Sequence, residues 1–261
     1  MKRAFPAILF LLAACGHGPR IDYVIPAKSQ GSRAEFLILH FTNENWDSSI
    51  KILTEGKVSS HYLVRDHPVE VARLVDEDRR AFHAGISSWK GQSMLNSASI
   101  GIEIVNRGDY KGADGSFYPE YPKEQIDIVI QLVKSIVQRH GIRGDRILGH
   151  SDIAPLRKVD PGPKFPWKRL AEEGLIPWPE AAAVAAKRKD YEETLPEVAW
   201  FQAKLAEHGF GIARTGTLDP DTQRTLAAFQ MKYRPSNYDG VPDAETAALL
   251  EVLTARPSVK K

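Results

Sequence analysis

Apolar residues of this chain fall into runs with the length of buried strands. Phe36–Phe41 and Ser99–Asn106 are continuous runs, and Ile147 with Leu148 forms a shorter one, as expected of strands buried on both faces. Ser59–Val64 predicts a further strand of more mixed character. These runs recur along the first part of the chain with longer segments between them.

The segments between the predicted strands carry apolar residues at helical spacing. Asp47 is the predicted cap of a short helix that Gly56 ends, and a longer helix starts near Tyr121 and is closed by Gly141. Strands interleaved with helices are typical of an α/β domain. We therefore predict a mixed β-sheet with flanking helices over residues 33–179.

A different pattern begins at residue 180. Residues 180–194 are first rich in alanine and then in charge, which predicts a helical or loose linker. Over residues 195–256, three amphipathic segments predict a small three-helix C-terminal domain. Thr194 opens a predicted capping box for the first helix, and Asp219 and Asp243 are the predicted caps of the other two.

The N-terminal segment has the pattern of a secretory leader. Residues 1–15 combine a basic start, a short apolar segment and small residues before Cys15, and the apolar part is too short to span a membrane. The end of this segment resembles the bacterial lipoprotein signal, which makes Cys15 the expected lipidation site and residues 16–32 a tether. Glycine at position 16 favours, by the same resemblance, a lipid anchor in the outer membrane that faces the periplasm. An ordinary signal peptide is the alternative.

Charge and cysteine content narrow the classes of function. The chain has 35 basic and 33 acidic side chains, and Lys2 and Arg3 lie in the leader, so the remainder is formally neutral (35 − 2 = 33). Nothing in this balance favours a nucleic-acid partner. Because Cys15 is the only cysteine, internal disulfides are excluded and any zinc site must use His, Asp or Glu.

Polar residues at the ends of the apolar runs form a candidate catalytic site. His40 lies near the end of the first run, His150 follows the third where a loop is expected, and Asp160 precedes a stiff Pro-Gly-Pro turn. Two imidazoles and a carboxylate would leave a bound zinc ion one open position for water. Glu103, a lone charge in an apolar run, is the predicted general base, and Lys158 the predicted oxyanion donor. The implied chemistry is amide hydrolysis, and the structural alternatives are a hydrogen-bonded core histidine and a buried salt bridge.

At these residues the sequence resembles the type 2 zinc-dependent N-acetylmuramoyl-L-alanine amidases. The likeness extends over five segments, which are the strand ending at His40, Ser-His-Tyr at 60–62, Phe-His-Ala-Gly at 82–85, SIGIEIVNRG at 99–108 and HSDIAPLRKVDPGPKFPW at 150–167. The resemblance implies hydrolysis of the amide bond between N-acetylmuramic acid and L-alanine in peptidoglycan or muropeptides, for cell-wall turnover or recycling.

The same resemblance assigns roles to individual residues. It implies one zinc ion per chain, held by His40, His150 and Asp160, with Glu103 as general base and Lys158 as the lysine that stabilises the oxyanion. It also implies substrate contacts, which are Tyr62, His83 and Trp89. The expected partners are the peptidoglycan or muropeptide substrate and a membrane, through the lipid anchor, and the expected state is a monomer.

The C-terminal segment resembles peptidoglycan-binding three-helix modules. The residues that carry this looser likeness are Phe201, Gln202, Gly209, Phe210, Asp219, Thr222, Phe229, Gln230, Asp239, Gly240, Asp243 and Thr246. The aromatic residues among them are equally explained as helix-bundle core. The layout as a whole is similar to the outer-membrane lipoprotein amidases of Gram-negative bacteria.

Two other classes of function compete with the amidase. One is a peptidoglycan-recognition protein that binds without hydrolysis, and the other is a structural or buffering zinc lipoprotein. The complete set of three ligands, a base and a lysine favours the enzyme, because a protein that only binds has no use for Glu103 and Lys158.

Overall fold

The structure is a computed structural model that describes residues 26–112 and 115–255. The predicted leader and its lipidation site Cys15 lie outside these residues. Residues 26–31, from the predicted tether, form no helix or strand, and the chain from Ser32 onward forms one compact unit. In the described part of the chain, no helix combines the length and the apolar character needed to cross a membrane.

Five strands form the main sheet of the protein. The described residues contain nine strands in all, which are β1 (Phe36–Phe41), β2 (Tyr62–Val64), β3 (Val71–Arg73), β4 (Ser88–Trp89), β5 (Gln92–Ser93), β6 (Ser99–Ile104), β7 (Tyr110–Gly112), β8 (Gly115–Phe117) and β9 (Ile147–Gly149). The sheet has the order β3-β2-β6-β1-β9, with only β3 antiparallel to its neighbour, and β4–β5 and β7–β8 are separate hairpins. The predicted mixed sheet is confirmed, although β2 starts later and β6 ends earlier than the apolar runs suggest.

The strand register decides which side chains share a face. His40 of β1 lies beside Glu103 of β6, so the alternation of side chains puts both on one face and puts Leu39 and Ile102 on the other. On the other side of β1, Leu39 lies beside the last residue of β9, so His150 follows at the same edge. The carboxyl ends of three parallel neighbours therefore present the predicted site together, as is usual in open α/β sheets.

Eight α-helices flank the sheet within the described residues. They are α1 (Trp46–Glu55), α2 (Lys123–His140), α3 (His150–Ile153), α4 (Trp167–Glu172), α5 (Ala181–Glu193), α6 (Val198–His208), α7 (Pro220–Tyr233) and α8 (Ala244–Thr254). The long helix α2 ends at Gly141 as predicted, with φ of 67° there. Its buried stripe packs on the sheet face of Leu39 and Ile102, and includes Ile126 and Val133.

The opposite face of the sheet is covered from two sides. Helix α1 brings Leu53 against Leu63 of β2. The C-terminal bundle covers the rest, because Phe36 and Leu148 of the sheet share one buried cluster with Phe229 of α7. The bundle therefore packs directly on the sheet.

Several predicted helix boundaries need correction. The residue that caps α1 is Asn45, whose side chain accepts the N–H of Ser48 at 2.9 Å, and Asp47 lies inside the first turn. The capping box at Thr194 does not form, since this residue donates its backbone N–H to Asp190 at the end of α5. Asn, Asp and Thr can all cap a helix, so the residue type alone does not fix where α1 and α6 begin.

The remaining predictions for the C-terminal segment hold more closely. Asp219 and Asp243 cap α7 and α8 by accepting N–H groups at 2.8 and 2.7 Å. Residues 181–193 of the predicted linker form helix α5, which packs along α8 through a hydrogen bond between Tyr191 and Glu251. The bundle thus contains four helices, of which the last three match the predicted module.

A buried glutamine holds the loop between α6 and α7. The Gln202 amide donates to Thr222 Oγ1 at 2.8 Å and to the Thr217 carbonyl at 3.1 Å. Its carbonyl oxygen accepts the N–H of Gly216 at 2.8 Å. Gly216 has φ of 74°, a left-handed conformation that glycine adopts without strain.

The same arrangement recurs between α7 and α8. The Gln230 amide donates to Thr246 Oγ1 at 3.1 Å and to the Val241 carbonyl at 3.0 Å. Its carbonyl oxygen accepts the N–H of Gly240 at 2.8 Å, and Gly240 also has φ of 74°. The bundle therefore contains two copies of one helix–loop–helix unit, and α7 belongs to both copies.

We expect Gln230→Leu to destabilise the protein by about 2–4 kcal/mol, because leucine fills the space but leaves a buried N–H and a carbonyl without partners. Urea unfolding of the full chain measures this change. Gln223→Leu, on the exposed side of the same helix, is the matched control. Equal stabilities of the two variants would show that these hydrogen bonds contribute nothing to the fold.

Candidate functional site

Three ligand atoms converge at the carboxyl edge of the sheet. His40 Nδ1 and His150 Nδ1 are 3.0 Å apart, and Asp160 Oδ2 lies 2.9 and 3.1 Å from them. All three side chains are buried, at 5% exposure or less. Two imidazole nitrogens and one carboxylate oxygen that converge in this way are a donor set that zinc uses in proteins, so the residues fit the ion.

Local structure explains why these three residues meet. His40 is the next-to-last residue of β1, and His150 directly follows β9 as the first residue of α3, where the sequence analysis expected a loop. The N–H of Ser151 donates to the Asp160 carbonyl at 2.9 Å, which ties the backbones of the second and third ligands together. Two adjacent strands and one short helix thus fix the set.

The outer nitrogen of His150 is held by the backbone. His150 Nε2 lies 3.1 Å from the carbonyl oxygen of Ala84, which can only accept a hydrogen bond. The Nε2–H therefore donates to Ala84, and the lone pair of Nδ1 faces the other two ligand atoms. Such an outer contact fixes both the tautomer and the orientation of a metal-binding histidine.

A hydrogen-bond relay fixes the tautomer of His40. The Ser99 hydroxyl donates to the Leu95 carbonyl at 2.7 Å, so its oxygen accepts from His83 Nε2–H at 3.1 Å. His83 Nδ1 is then free to accept from His40 Nε2–H at 3.0 Å. The lone pair of His40 Nδ1 consequently faces the site, and His83, predicted to contact substrate, orients a ligand.

Protonation in the site suits a metal. Burial, together with the positive charge of His150, lowers the pKa of His40 to about 4, and burial lowers the pKa of His83 well below its ordinary value. Burial alone would raise the pKa of Asp160, but His150 and His40 outweigh it and hold that pKa below the usual range. At neutral pH the site therefore offers neutral imidazole to a cation, beside an ionised carboxylate.

Glu103 stands apart from the three ligands in its environment. Its Oε2 is buried and accepts no hydrogen bond from the described residues. Burial, reinforced by the charge of Asp160 and opposed by Lys158, raises the pKa of the Glu103 carboxyl well above its ordinary value. One pocket is lined by all five predicted site residues, so the base and the lysine face the same space as the ligands.

The walls of this pocket add features that the sequence did not indicate. Its rim carries the exposed apolar side chains Ile52, Val58 and Phe82. Arg157 also lines it and clamps the neighbouring loop by donating to the carbonyl of Ile86 at 3.1 Å. Phe82 and Arg157 fall within the segments that carry the family resemblance, but nothing in the sequence marked them as pocket residues, and Ile52 and Val58 lie outside those segments.

Tyr62 and Trp89 lie away from the pocket, contrary to the predicted substrate contacts. Tyr62 points to the far face of the sheet and donates its hydroxyl to Glu77 at 2.8 Å. Trp89 is 2% exposed, donates its indole N–H to the Asp145 carbonyl at 3.1 Å and packs edge-on against Phe210 of the bundle. Strand alternation removes the first residue from the cleft, and the bundle covers the second.

Asn96 and Ser99 support the site from behind. The Asn96 side chain accepts the backbone N–H groups of His83 and Ala84 at 3.0 and 2.7 Å, and so holds the loop that contacts both histidine ligands. The sequence gave no indication of either role. No local signal marks a small polar residue as the end of a relay.

Fold and site together define a hydrolase site of the open, three-ligand kind, built at the carboxyl edge of a mixed sheet. Residues 30–163 match the family described as N-acetylmuramoyl-L-alanine amidase, and residues 194–250 match one described as a peptidoglycan binding domain. The chain is 38% identical over 272 residues to N-acetylmuramoyl-L-alanine amidase AmiD of Escherichia coli K12, covering 97% of this chain and 98% of that protein.

Two solved structures of similar proteins contain ligands. AmiD from E. coli, in complex with anhydro-N-acetylmuramic acid-L-Ala-D-gamma-Glu-L-Lys, gives a TM-score of 0.81 at 38% identity and covers 90% of this chain and 94% of its own. AmpDh3 from Pseudomonas aeruginosa, with an anhydromuramic pentapeptide, gives 0.82 at 38% identity, covering 90% and 96%.

The chain belongs to the N-acetylmuramoyl-L-alanine amidase family. The predicted enzyme class, hydrolysis of the amide bond between N-acetylmuramic acid and L-alanine, is thereby confirmed.

We expect His83→Ala to weaken zinc binding by about 10- to 100-fold, because His40 loses the partner that fixes its tautomer. His83→Gln keeps an oxygen that can accept from His40 Nε2–H and should restore most of the affinity. Competition with a chromogenic chelator measures both dissociation constants, with His67→Ala on the exposed surface as control. Equal affinity in His83→Ala and His67→Ala would exclude the orienting role.

Proposed function

We propose that this chain is a zinc-dependent amidase in which His40, His150 and Asp160 hold one zinc ion. The observation that carries the proposal is the Oε2 atom of Glu103, which is buried without a partner among the described residues, in a side chain that lines the same pocket as the three ligands. A buried charge of this kind is costly unless it is used. Its position supports proton transfer to and from a molecule bound in the pocket.

Glu103 and Lys158 divide the chemistry that the protein itself performs. Zinc held by the three ligands would supply Lewis acidity, polarising the carbonyl and lowering the pKa of water. Glu103 Oε2 accepts the proton of the attacking water and returns it to the departing alanine nitrogen. Burial raises the pKa of Glu103 toward the working range, which favours the second transfer. The Lys158 ammonium stabilises the negative charge that develops on the carbonyl oxygen.

Muropeptides are the substrates that the comparisons favour. The similar AmiD and AmpDh3 structures contain anhydro-muropeptides. The pocket of this chain has a polar floor and an apolar rim at Ile52, Val58 and Phe82, which suits a ligand with methyl groups around a polar amide. We therefore propose hydrolysis of muropeptides, including anhydro forms, in cell-wall turnover or recycling. The C-terminal bundle is proposed to bind the wall.

The proposed location is the periplasmic face of the outer membrane. This proposal is supported by the leader pattern of residues 1–15 and by Cys15, which a lipoprotein signal would make the lipidated N-terminus. A lipid anchor would hold the enzyme near the wall, with residues 16–32 as the tether.

We expect Glu103→Gln to lower turnover of a soluble muropeptide by about 10²–10⁴, because glutamine keeps the shape but cannot accept a proton. Bound zinc, measured by metal analysis, should stay at one per chain in this variant and be lost in His150→Ala. Glu44→Gln, an exposed carboxylate at the pocket mouth, is the control.

Near-normal turnover in Glu103→Gln would assign the base to another group. Muropeptide binding by the wild-type chain without any release of peptide would favour the recognition protein instead.

We expect Cys15→Ser to move the protein from the outer-membrane fraction to the soluble periplasmic fraction in a Gram-negative host. Lipid labelling with a fatty-acid probe should disappear in the same variant. If the wild-type protein is unmodified and soluble in the periplasm, the lipoprotein proposal is wrong and the leader is an ordinary signal peptide.

A further inference from the structure

A buried ion pair joins the C-terminal bundle to the catalytic sheet. Lys232 lies near the end of α7, and Asp152 lies in the short helix α3 that starts with His150. Their Nζ and Oδ2 atoms are 2.7 Å apart, and the side chains are only 6% and 2% exposed. Surface ion pairs contribute little, but a buried pair is costly to break because it leaves an uncompensated charge.

Asp152 shapes the helix that presents the second metal ligand. Its Oδ2, the same atom that meets Lys232, accepts the N–H of Gly149 at 2.8 Å. This bond spans His150 and ties Asp152 to the residue that precedes α3. The carboxylate therefore sets the direction in which the His150 side chain leaves the backbone.

The space behind α3 is tightly filled. A Cβ atom at Gly149 would come within 2.7 Å of Pro161 and 3.2 Å of the Trp167 ring. Lys232 Nζ lies 4.1 Å from the centroid of the same Trp167 ring. The ammonium thus sits among the residues that hold His150 and Asp160.

A second contact from α7 reaches the same segment. Arg224 donates to the Leu156 carbonyl at 3.3 Å, two residues before Lys158. Residues 150–160 carry two ligands and the lysine, and α7 contacts this segment at Asp152, near its start, and at Leu156, in its middle. The bundle is therefore placed to influence the geometry of the site, independently of any binding to the wall.

We infer that Lys232 is a positioning residue for the metal site, and that the C-terminal bundle completes the site by neutralising Asp152. Without the ammonium, the buried Asp152 carboxylate has no counter-charge, and α3 must open toward water to solvate it. That movement displaces His150 Nδ1 from the other two ligand atoms. The inference rests on the proposed zinc binding and adds a requirement for a residue outside the catalytic sheet.

The test uses the full-length protein and measures zinc affinity by chelator competition, well below the unfolding temperature. Lys232→Met should raise the zinc dissociation constant at least about tenfold, as expected when the partner of a ligand-bearing element is lost. The double variant Lys232→Met/Asp152→Asn no longer has the uncompensated charge, and its amide oxygen can still accept the Gly149 N–H. Its zinc dissociation constant should therefore return to within about threefold of the wild-type value. Lys189→Met, exposed on α5, should change nothing.

Each outcome decides the inference. Unchanged zinc affinity in a folded Lys232→Met would overturn it, even with a lowered unfolding temperature, because a purely stabilising ion pair shifts only stability. If Lys232→Met does not fold, the double variant decides: near-normal affinity supports the inference and weak affinity overturns it. A wild-type protein that binds no zinc would instead refute the proposed function.

Discussion

The structure depends on keeping a buried carboxylate and two imidazoles with their free electron pairs turned toward one point. The side chains of His40, His150 and Asp160 are buried, and their ligand atoms lie within about 3 Å of one another beside the pocket that they line. Placing polar atoms there is unfavourable unless each is oriented and its outer side is satisfied. The surrounding elements supply the contacts that orient these three side chains and satisfy their outer polar atoms.

Support for the ligands comes from three separate parts of the chain. The loop at residues 83–84 accepts hydrogen bonds from both histidines, and β6 supplies Ser99 behind it. The hydrogen bond from the Ser151 N–H to the Asp160 carbonyl joins the segments that carry His150 and Asp160. The bundle neutralises Asp152 beneath His150. No ligand is therefore held by its own strand or helix alone, and the long separations in sequence explain why a motif search finds the ligands but misses most of their partners.

Sequence reasoning located residues whose chemistry conflicts with their local pattern. His40 and Glu103 were identifiable because each is a polar residue in an apolar run, and the Pro-Gly-Pro turn marked Asp160. The strands, helix α2 and the caps of α7 and α8 followed from periodicity and local hydrogen bonding. The predicted substrate contact of Tyr62 was wrong because a position next to a motif does not tell which face of a strand the side chain occupies. The predicted substrate contact of Trp89 was wrong because its partner Phe210 comes from a segment far along the chain. The loops held by Gln202 and Gln230 were missed because these side chains bond largely to backbone groups.

Helix α7 links the two halves of the protein through a geometric coincidence. Gln230, which holds the loop to α8, precedes Lys232 by two residues on the same helix. The loop contacts that fix the orientation of α7 therefore also fix the position of the Lys232 ammonium. This limits how the protein could exchange modules by recombination. A different module fused after residue 179 would leave the buried Asp152 carboxylate beside His150 without its partner, and the resulting chimaera would need its own cation there. The C-terminal bundle and the catalytic sheet are thus matched parts, and they would have to diverge together.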